Sequence, residues 1–175
     1  ALDIDEDYLD ASYYLAKLYF GGKATNKEGT VINRRDLKEA EIHFLKVLDI
    51  DENHYKAHYN LARIYSENGH HKKAETSLRK AISLNKEYSK AHFLLAHVLE
   101  ATSRKTEAKK HFLLSVDYFN ENQLAHYRLG LMLYRESKED EAFSHLKRSI
   151  EIDANHAESH FYMAMILRNL SLIHI

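Results

Sequence analysis

Histidine is the residue type that first suggests chemistry, with 13 copies in 175 residues. His54/His58 and His156/His160 are each four apart, a spacing that sets two imidazoles on one helical face, where a metal site could use them. Neither pair belongs to an H-E-x-x-H motif; the second reads His156-Ala157-Glu158-Ser159-His160, and no third ligand is identifiable nearby. One histidine column recurs at His58, His92, His126 and His160, and a second at His43, His111 and His145. On stacked helices the members of a column lie about 10 Å apart, too far to share one ion. Both columns are therefore read as packing rings, and no metal is expected.

Other chemistries find less. Ser-His-Asp combinations can be picked out, but none has motif context. The carboxylates are scattered, as on solvent faces. There is no Cys, which removes thiolate ligands, disulfides and a Cys nucleophile. Five Gly leave no room for a phosphate-cradling loop. The chain is expected to be no enzyme and to carry no cofactor. Lys+Arg is 25 against Asp+Glu 26, a net charge of −1, and such a balance argues against nucleic acid as a partner. No apolar run is long enough to span a membrane, and the acidic start Ala1-Leu2-Asp3-Ile4-Asp5-Glu6-Asp7 has no export-signal pattern. A cytoplasmic protein with no membrane partner is expected.

The elements that carry these residues repeat. Ala57-His58-Tyr59-Asn60-Leu61-Ala62, Ala91-His92-Phe93-Leu94-Leu95-Ala96 and Ala125-His126-Tyr127-Arg128-Leu129-Gly130 begin 34 residues apart, and Ser159-His160-Phe161-Tyr162-Met163-Ala164 continues the step. Ala74, Ala108 and Ala142 keep it, as do Leu78, Phe112 and Leu146. Each unit has two apolar stripes of helical period: Leu61, Ala62 and Tyr65, then Ala74, Leu78, Ala81 and Ile82. Asn68-Gly69-His70 breaks the pattern between them. The spacing predicts a helix A over 55–67 and a helix B over 71–84. Small residues at Ala62, Ala96, Gly130 and Ala164 let the two backbones approach, with large neighbours filling the grooves. An earlier copy starts at Ala11-Ser12-Tyr13-Tyr14-Leu15-Ala16. There Ala16 and Ala40 are 24 apart where Ala62 and Ala74 are 12 apart, so 12 extra residues lie within Gly21–Asn33, read as a loop.

A 34-residue hairpin with Leu-Ala/Gly-x-x-Tyr and then Ala-x-x-x-Phe/Leu resembles the tetratricopeptide repeat. Leu15-Ala16…Tyr19 and Leu61-Ala62…Tyr65 carry the match; Leu99, Leu133 and Leu167 replace the Tyr in later copies. The family's early Trp is His here, and its Pro near the unit's end is absent. Leu18-Tyr19-Phe20-Gly21-Gly22 with the long loop and Asp36…Ala40 also resembles the Sel1-like variant. The resemblance implies an all-α solenoid of helix-turn-helix repeats wound as a right-handed superhelix. The expected array covers 1–175: 1–8 as the tail of a preceding helix B, repeats over 9–54, 55–88, 89–122 and 123–156, and a final helix A in 157–175.

With 100° of rotation per residue, helix A of the second copy packs through His58, Leu61, Ala62 and Tyr65. Its far side carries Lys56, Tyr59, Asn60 and Arg63. In tetratricopeptide arrays that side lines the concave surface that holds a partner. The resemblance therefore implies a groove formed by Tyr13, Tyr14, Lys17, Lys56, Tyr59, Asn60, Arg63, Lys90, Phe93, His97, Tyr127, Arg128, Tyr134, Phe161 and Tyr162. The competing reading of the aromatic column Tyr13, Tyr59, Phe93, Tyr127 and Phe161 is packing against the next repeat. The family's carboxylate clamp maps to Tyr13, Lys17, Asn60, Lys90 and Leu94, of which only Asn60 and Lys90 are of the required type. The implied function is a protein-protein scaffold holding a peptide or helix of a partner. The alternative is a regulatory or targeting arm of a larger enzyme. The final helix lacks its own helix B and leaves Met163, Ala164 and Leu167 uncovered, so self-association through the 157–175 end is a further expectation.

Overall fold

The computed structural model describes residues 2–21, 23–25, 31–33 and 36–173, with side chains over 8–21 and 36–169. Helices α1 (Leu2–Gly21), α2 (Leu37–Ile50), α3 (Tyr55–Glu67) and α4 (His71–Leu84) lie in a first compact unit, residues 1–86. Helices α5 (Ser89–Ala101), α6 (Lys105–Tyr118), α7 (Gln123–Arg135), α8 (Glu139–Ile152) and α9 (Ala157–Ile173) form a second, residues 87–175. Consecutive helices pack within each unit, and α7 also touches α9. The fold class is an all-α solenoid of helix-turn-helix repeats, and α3 and α4 occupy the spans that the periodicity predicts.

Two features differ from expectation. The segment read as the tail of a preceding helix B continues without a turn into the first helix A, as the single helix α1. Neither Gly nor Pro interrupts it before Gly21, so nothing in the backbone chemistry stops the helix. The stretch read as a loop carries two short strands, β1 (Lys23–Thr25) and β2 (Val31–Asn33), paired antiparallel with Ala24 opposite Ile32. Thr25, Val31 and Ile32 are β-branched and suit a pleated strand. Residues 26–30, also read as loop, lie outside the described residues. The Asp36 amide donates to the Tyr19 carbonyl at 2.8 Å, bringing the chain back to α1. The Asp36 carboxylate then caps α2 by accepting from the Lys38 and Glu39 amides.

The core repeats as the sequence does. In the first unit Ala16, Ala40, Phe44, Val47, Ala57, Leu61 and Ile64 form one buried cluster. In the second, Leu133, Ala142, Leu146 and Ile166 join α7, α8 and α9, with Phe112 fully buried in α6. Hydroxyls are buried there too. Ser89 donates to the Ser115 carbonyl at 2.8 Å, and Asn122 Nδ2 donates to Ser115 Oγ at 2.9 Å. One repeat later Gln123 Nε2 donates to Ser149 Oγ, which lies 2.8 Å from Ser159 Oγ. Each buried oxygen thus has a partner, as burial requires.

The A-to-B turns are built alike. Gly69, Ser103 and Ser137 take φ of 74°, 65° and 60°. The following amides of His70, Arg104 and Lys138 donate to Tyr65, Leu99 and Leu133 carbonyls at 2.8, 2.8 and 3.0 Å, closing a Schellman motif. Left-handed backbone costs an L-residue about 1–2 kcal/mol, while Gly costs about 0.5–1 kcal/mol in unfolded-chain entropy. Ser103→Gly is therefore expected to stabilise by about 0.5–1 kcal/mol. The check is a higher urea midpoint at unchanged slope; a lower midpoint refutes it.

Candidate functional site

In the first unit the faces of α1 and α3 enclose an open groove of about 450 Å³, lined by Tyr14, Lys17, Leu18, Phe20, Gly21, Asn60 and Arg63. Rings hold the cations. The Arg63 guanidinium lies 4.2 Å from the centre of Phe20 and 5.9 Å from Tyr59. Lys17 Nζ stands 5.7 Å from Tyr13 and 5.9 Å from Tyr14. Among the described residues neither cation has a carboxylate partner, although other cations of the chain pair with Glu, as Arg79 does with Glu75. Asn60 spends both amide hydrogens, one on Tyr13 Oη at 3.3 Å and one on the Lys56 carbonyl at 2.8 Å. Its Oδ1 is left as an acceptor. Burial pushes the Tyr59 hydroxyl pKa up against the opposing pull of Arg63, and burial raises that of Tyr13 against the Asn60 hydrogen bond.

Not every expected residue joins this groove. Lys56 is exposed and lies 5.7 Å from the Tyr55 ring, so it contributes its carbonyl through Asn60 and not its charge. Leu18 and Gly21 line the groove without having been singled out, and Phe20, further along the α1 face that carries Tyr13 and Lys17, lines it with them. Leu18 and Gly21 were noted only for their loop resemblance. Tyr13 lies tilted against the His54 ring, with centroids 4.8 Å apart, and meets Phe44 edge-on, so it serves packing as well as the groove.

The other expected residues belong to the second unit. Phe93 packs edge-on against Phe112 and His97, at 5.7 and 5.4 Å. Burial, then Arg128, lowers the His97 pKa against the pull of Glu100. Arg128 lies 3.8 Å from Glu100, so its charge is partly answered. Tyr127 lies tilted against His156 with centroids 4.8 Å apart, the equivalent of the Tyr13–His54 contact, and Tyr134 and Tyr162 follow at 5.6 Å from each other. Lys90 is exposed, and Phe161 is 58% exposed. The aromatic column is thus chiefly a packing column, with Phe161 its exposed member.

The histidines resolve into separate jobs. His54 Nδ1 accepts from the Ala57 amide at 3.0 Å and His156 Nδ1 from that of Ser159 at 3.2 Å, each capping its helix. Their i+4 partners His58 and His160 point Nε2 at the carbonyls of Glu52 and Ala154, both at 2.9 Å. The two members of each pair therefore face different partners, and no cluster of three metal-binding side chains occurs among the described residues. Ser159 Oγ, His156 and Glu158 form a Ser-His-Glu chain at 2.8 and 3.6 Å. Ser159 is fully buried and the imidazole is committed to the cap, so no substrate carbonyl can reach the hydroxyl. Sequence reading missed one arrangement. The two columns meet: His92 Nδ1 lies 3.0 Å from His111 Nδ1, and His126 Nδ1 lies 3.0 Å from His145 Nδ1. The common spacing of 19 residues was the available signal.

Residues 55–88 match the tetratricopeptide repeat family model. No curated protein matches the sequence. Among solved structures, the fold is similar to that of pilF from Pseudomonas aeruginosa, at 21% identity over 95% of this chain and 71% of that one, with a TM-score of 0.76. It is also similar to MamA protein, at 18% identity over 95% and 85% of the two chains, TM-score 0.73. A third is YrrB, described as a TPR protein with an unusual peptide-binding site, at 20% identity over 94% and 76%, TM-score 0.70. No helix among the described residues is long and apolar enough to cross a membrane.

Proposed function

We propose that this chain is a protein-interaction scaffold whose first unit holds an extended, acidic segment of a partner in the groove between α1 and α3. The observation that carries the reading is the state of its polar groups. Lys17 and Arg63 lie against rings with no carboxylate partner among the described residues, and Asn60, which lines the same groove, keeps its Oδ1 as an acceptor. A cation stacked on a ring keeps its N–H edge for an anion. An extended backbone supplies the N–H that Asn60 accepts, and its acidic side chains reach the flanking cations. Tyr14, Leu18 and Phe20 offer apolar surface between. The match of 55–88 to a repeat that recurs in peptide-binding proteins such as YrrB agrees with this reading.

Short random peptides displayed on phage and panned on the protein test it. Selected peptides should be enriched in Asp and Glu, and Lys17→Glu/Arg63→Glu should weaken them by about tenfold or more. Peptides that bind the variant as well as the wild type refute this groove as their site.

A further inference from the structure

We propose that the paired imidazoles of α5–α6 and α7–α8 form an acid-sensitive latch that holds the second unit's hairpins shut and loosens them when each pair must accept a second proton. The geometry occurs twice in the same register: His92 faces His111 and His126 faces His145, Nδ1 to Nδ1, each at 3.0 Å. His92 and His126 are only 3% and 5% exposed, so neither can turn to water without opening the hairpin.

The tautomers follow from the neighbours. His126 Nε2 faces two oxygens of Asn120, the carbonyl at 3.2 Å and Oδ1 at 3.0 Å, so Nε2 carries the hydrogen. His126 Nδ1 is then a bare lone pair, and the bond to it must be donated by His145 Nδ1–H. His145 Nε2 remains free for a first proton, which leaves the bridge intact. A second proton has only His126 Nδ1 to go to. There it sets N–H against N–H, and the bridge is lost next to a second positive charge.

The surroundings oppose both protons. From α8, Arg148 as well as His145 bears on His126, and Asn120 in the preceding turn favours the proton already on Nε2. Lys109 of α6 opposes a charge on His145, while Glu141 on its own helix favours one; Lys109 is itself held by Glu136. In the other pair His92 faces His111 and, at 5.5 Å, the Tyr118 ring, both of α6. Glu107, one turn before His111, is engaged by Arg104. Burial lowers the pKa of both His126 and His145; the charges of His145 and Arg148 add to it at His126, whereas at His145 Glu141 pulls the other way. A histidine lowered in the folded state gives stability that is complete above its unfolded value of about 6.5 and declines as pH falls below it. The latch is therefore closed at neutral pH and releases in mild acid.

Hydrogen exchange at about pH 7.5 and about pH 5, corrected for intrinsic rates, reads the latch across the ordinary histidine range. Protection of the α5–α8 amides should fall by about tenfold for each pair, the factor that one lost buried hydrogen bond carries. The comparison is His111→Gln/His145→Gln. A Gln amide donates to a neutral imidazole and, rotated, accepts from a protonated one, so this variant should keep its protection in acid. Equal loss in both proteins would overturn the proposal and assign the response to His97 of α5. So would no loss in the wild type. If the variant does not fold, imidazole nitrogen NMR of the wild type decides: a scalar coupling across the Nδ1–Nδ1 bond at neutral pH that disappears in acid supports the latch. Absence of that coupling at neutral pH refutes it.

Discussion

Phe112→Ala is expected to destabilise the second unit by about 3–5 kcal/mol, the range for removing a buried aromatic side chain from a core. Phe112 is fully buried. Phe93 and His97 meet its ring edge-on from α5, with centroids at 5.7 and 6.2 Å. The small residues of the α5–α6 core cannot fill the space it would leave. Ala96 and Ala108 are both fully buried and carry only a methyl group, and the ring contacts with Phe93 and His97 depend on Phe112 itself. The cavity therefore persists, and its cost adds to the lost transfer energy. In a repeat array each unit leans only on its neighbours, so the loss should appear in α5–α8 and leave α2–α4 protected. Denaturant melts followed by segment-resolved exchange measure both. A loss below about 1.5 kcal/mol, far under the usual aromatic range, would show that the site collapses and that the packing account is wrong.

The opposite error, too much volume, is predicted at Gly130. A Cβ added there meets Leu146 Cγ at 2.7 Å and Cδ2 at 2.9 Å, with the Ala142 carbonyl at 3.3 Å. Replacing a mid-helix Gly gains about 1 kcal/mol of helix propensity at most. Overpacking a tight core costs about 1–3 kcal/mol and sometimes more. Packing wins, because a branch of Leu146 and a backbone carbonyl must both give way. Gly130→Val is expected to cost about 3 kcal/mol. In a Leu146→Ala background the same change should cost less than about 1 kcal/mol, since the obstructing side chain is gone and contacting sites couple. Additive losses in the double mutant would exclude the clash with Leu146 as the cause.

These two sites also mark what the sequence could tell. The 34-residue step placed Phe112 with Leu78 and Leu146, and Gly130 with Ala62 and Ala96, as large and small partners across a helix pair. Helix existence, bounds and packing faces are local and periodic, so they were legible. The His92–His111 and His126–His145 bridges were not, because two side chains on different helices meet only once the crossing geometry is set. The groove was partly legible. Rotation along α3 put Lys56, Asn60 and Arg63 on one face, but rotation says nothing of which ring a long side chain lies along. Lys56 turns to Tyr55, and Arg63 to Phe20. The strands β1 and β2 were not legible because three residues each are too short to show a period of two.

The buried hydroxyls of the second unit bear on how it responds to force. Ser115 joins α5, α6 and the start of α7, and Ser149 joins α7, α8 and α9, through bonds of 2.8 to 2.9 Å. Apolar contact has no preferred direction and lets one helix creep along another at little cost. A hydrogen bond weakens steeply once it is bent or stretched. These helices are therefore keyed against sliding, and a load that shears α8 along α9 meets a stiff, brittle resistance. In the first unit the buried cluster that joins α2 to α3 is apolar, with the Tyr65–Glu41 hydrogen bond only half-buried beside it, and the same load is met there by a softer, yielding resistance.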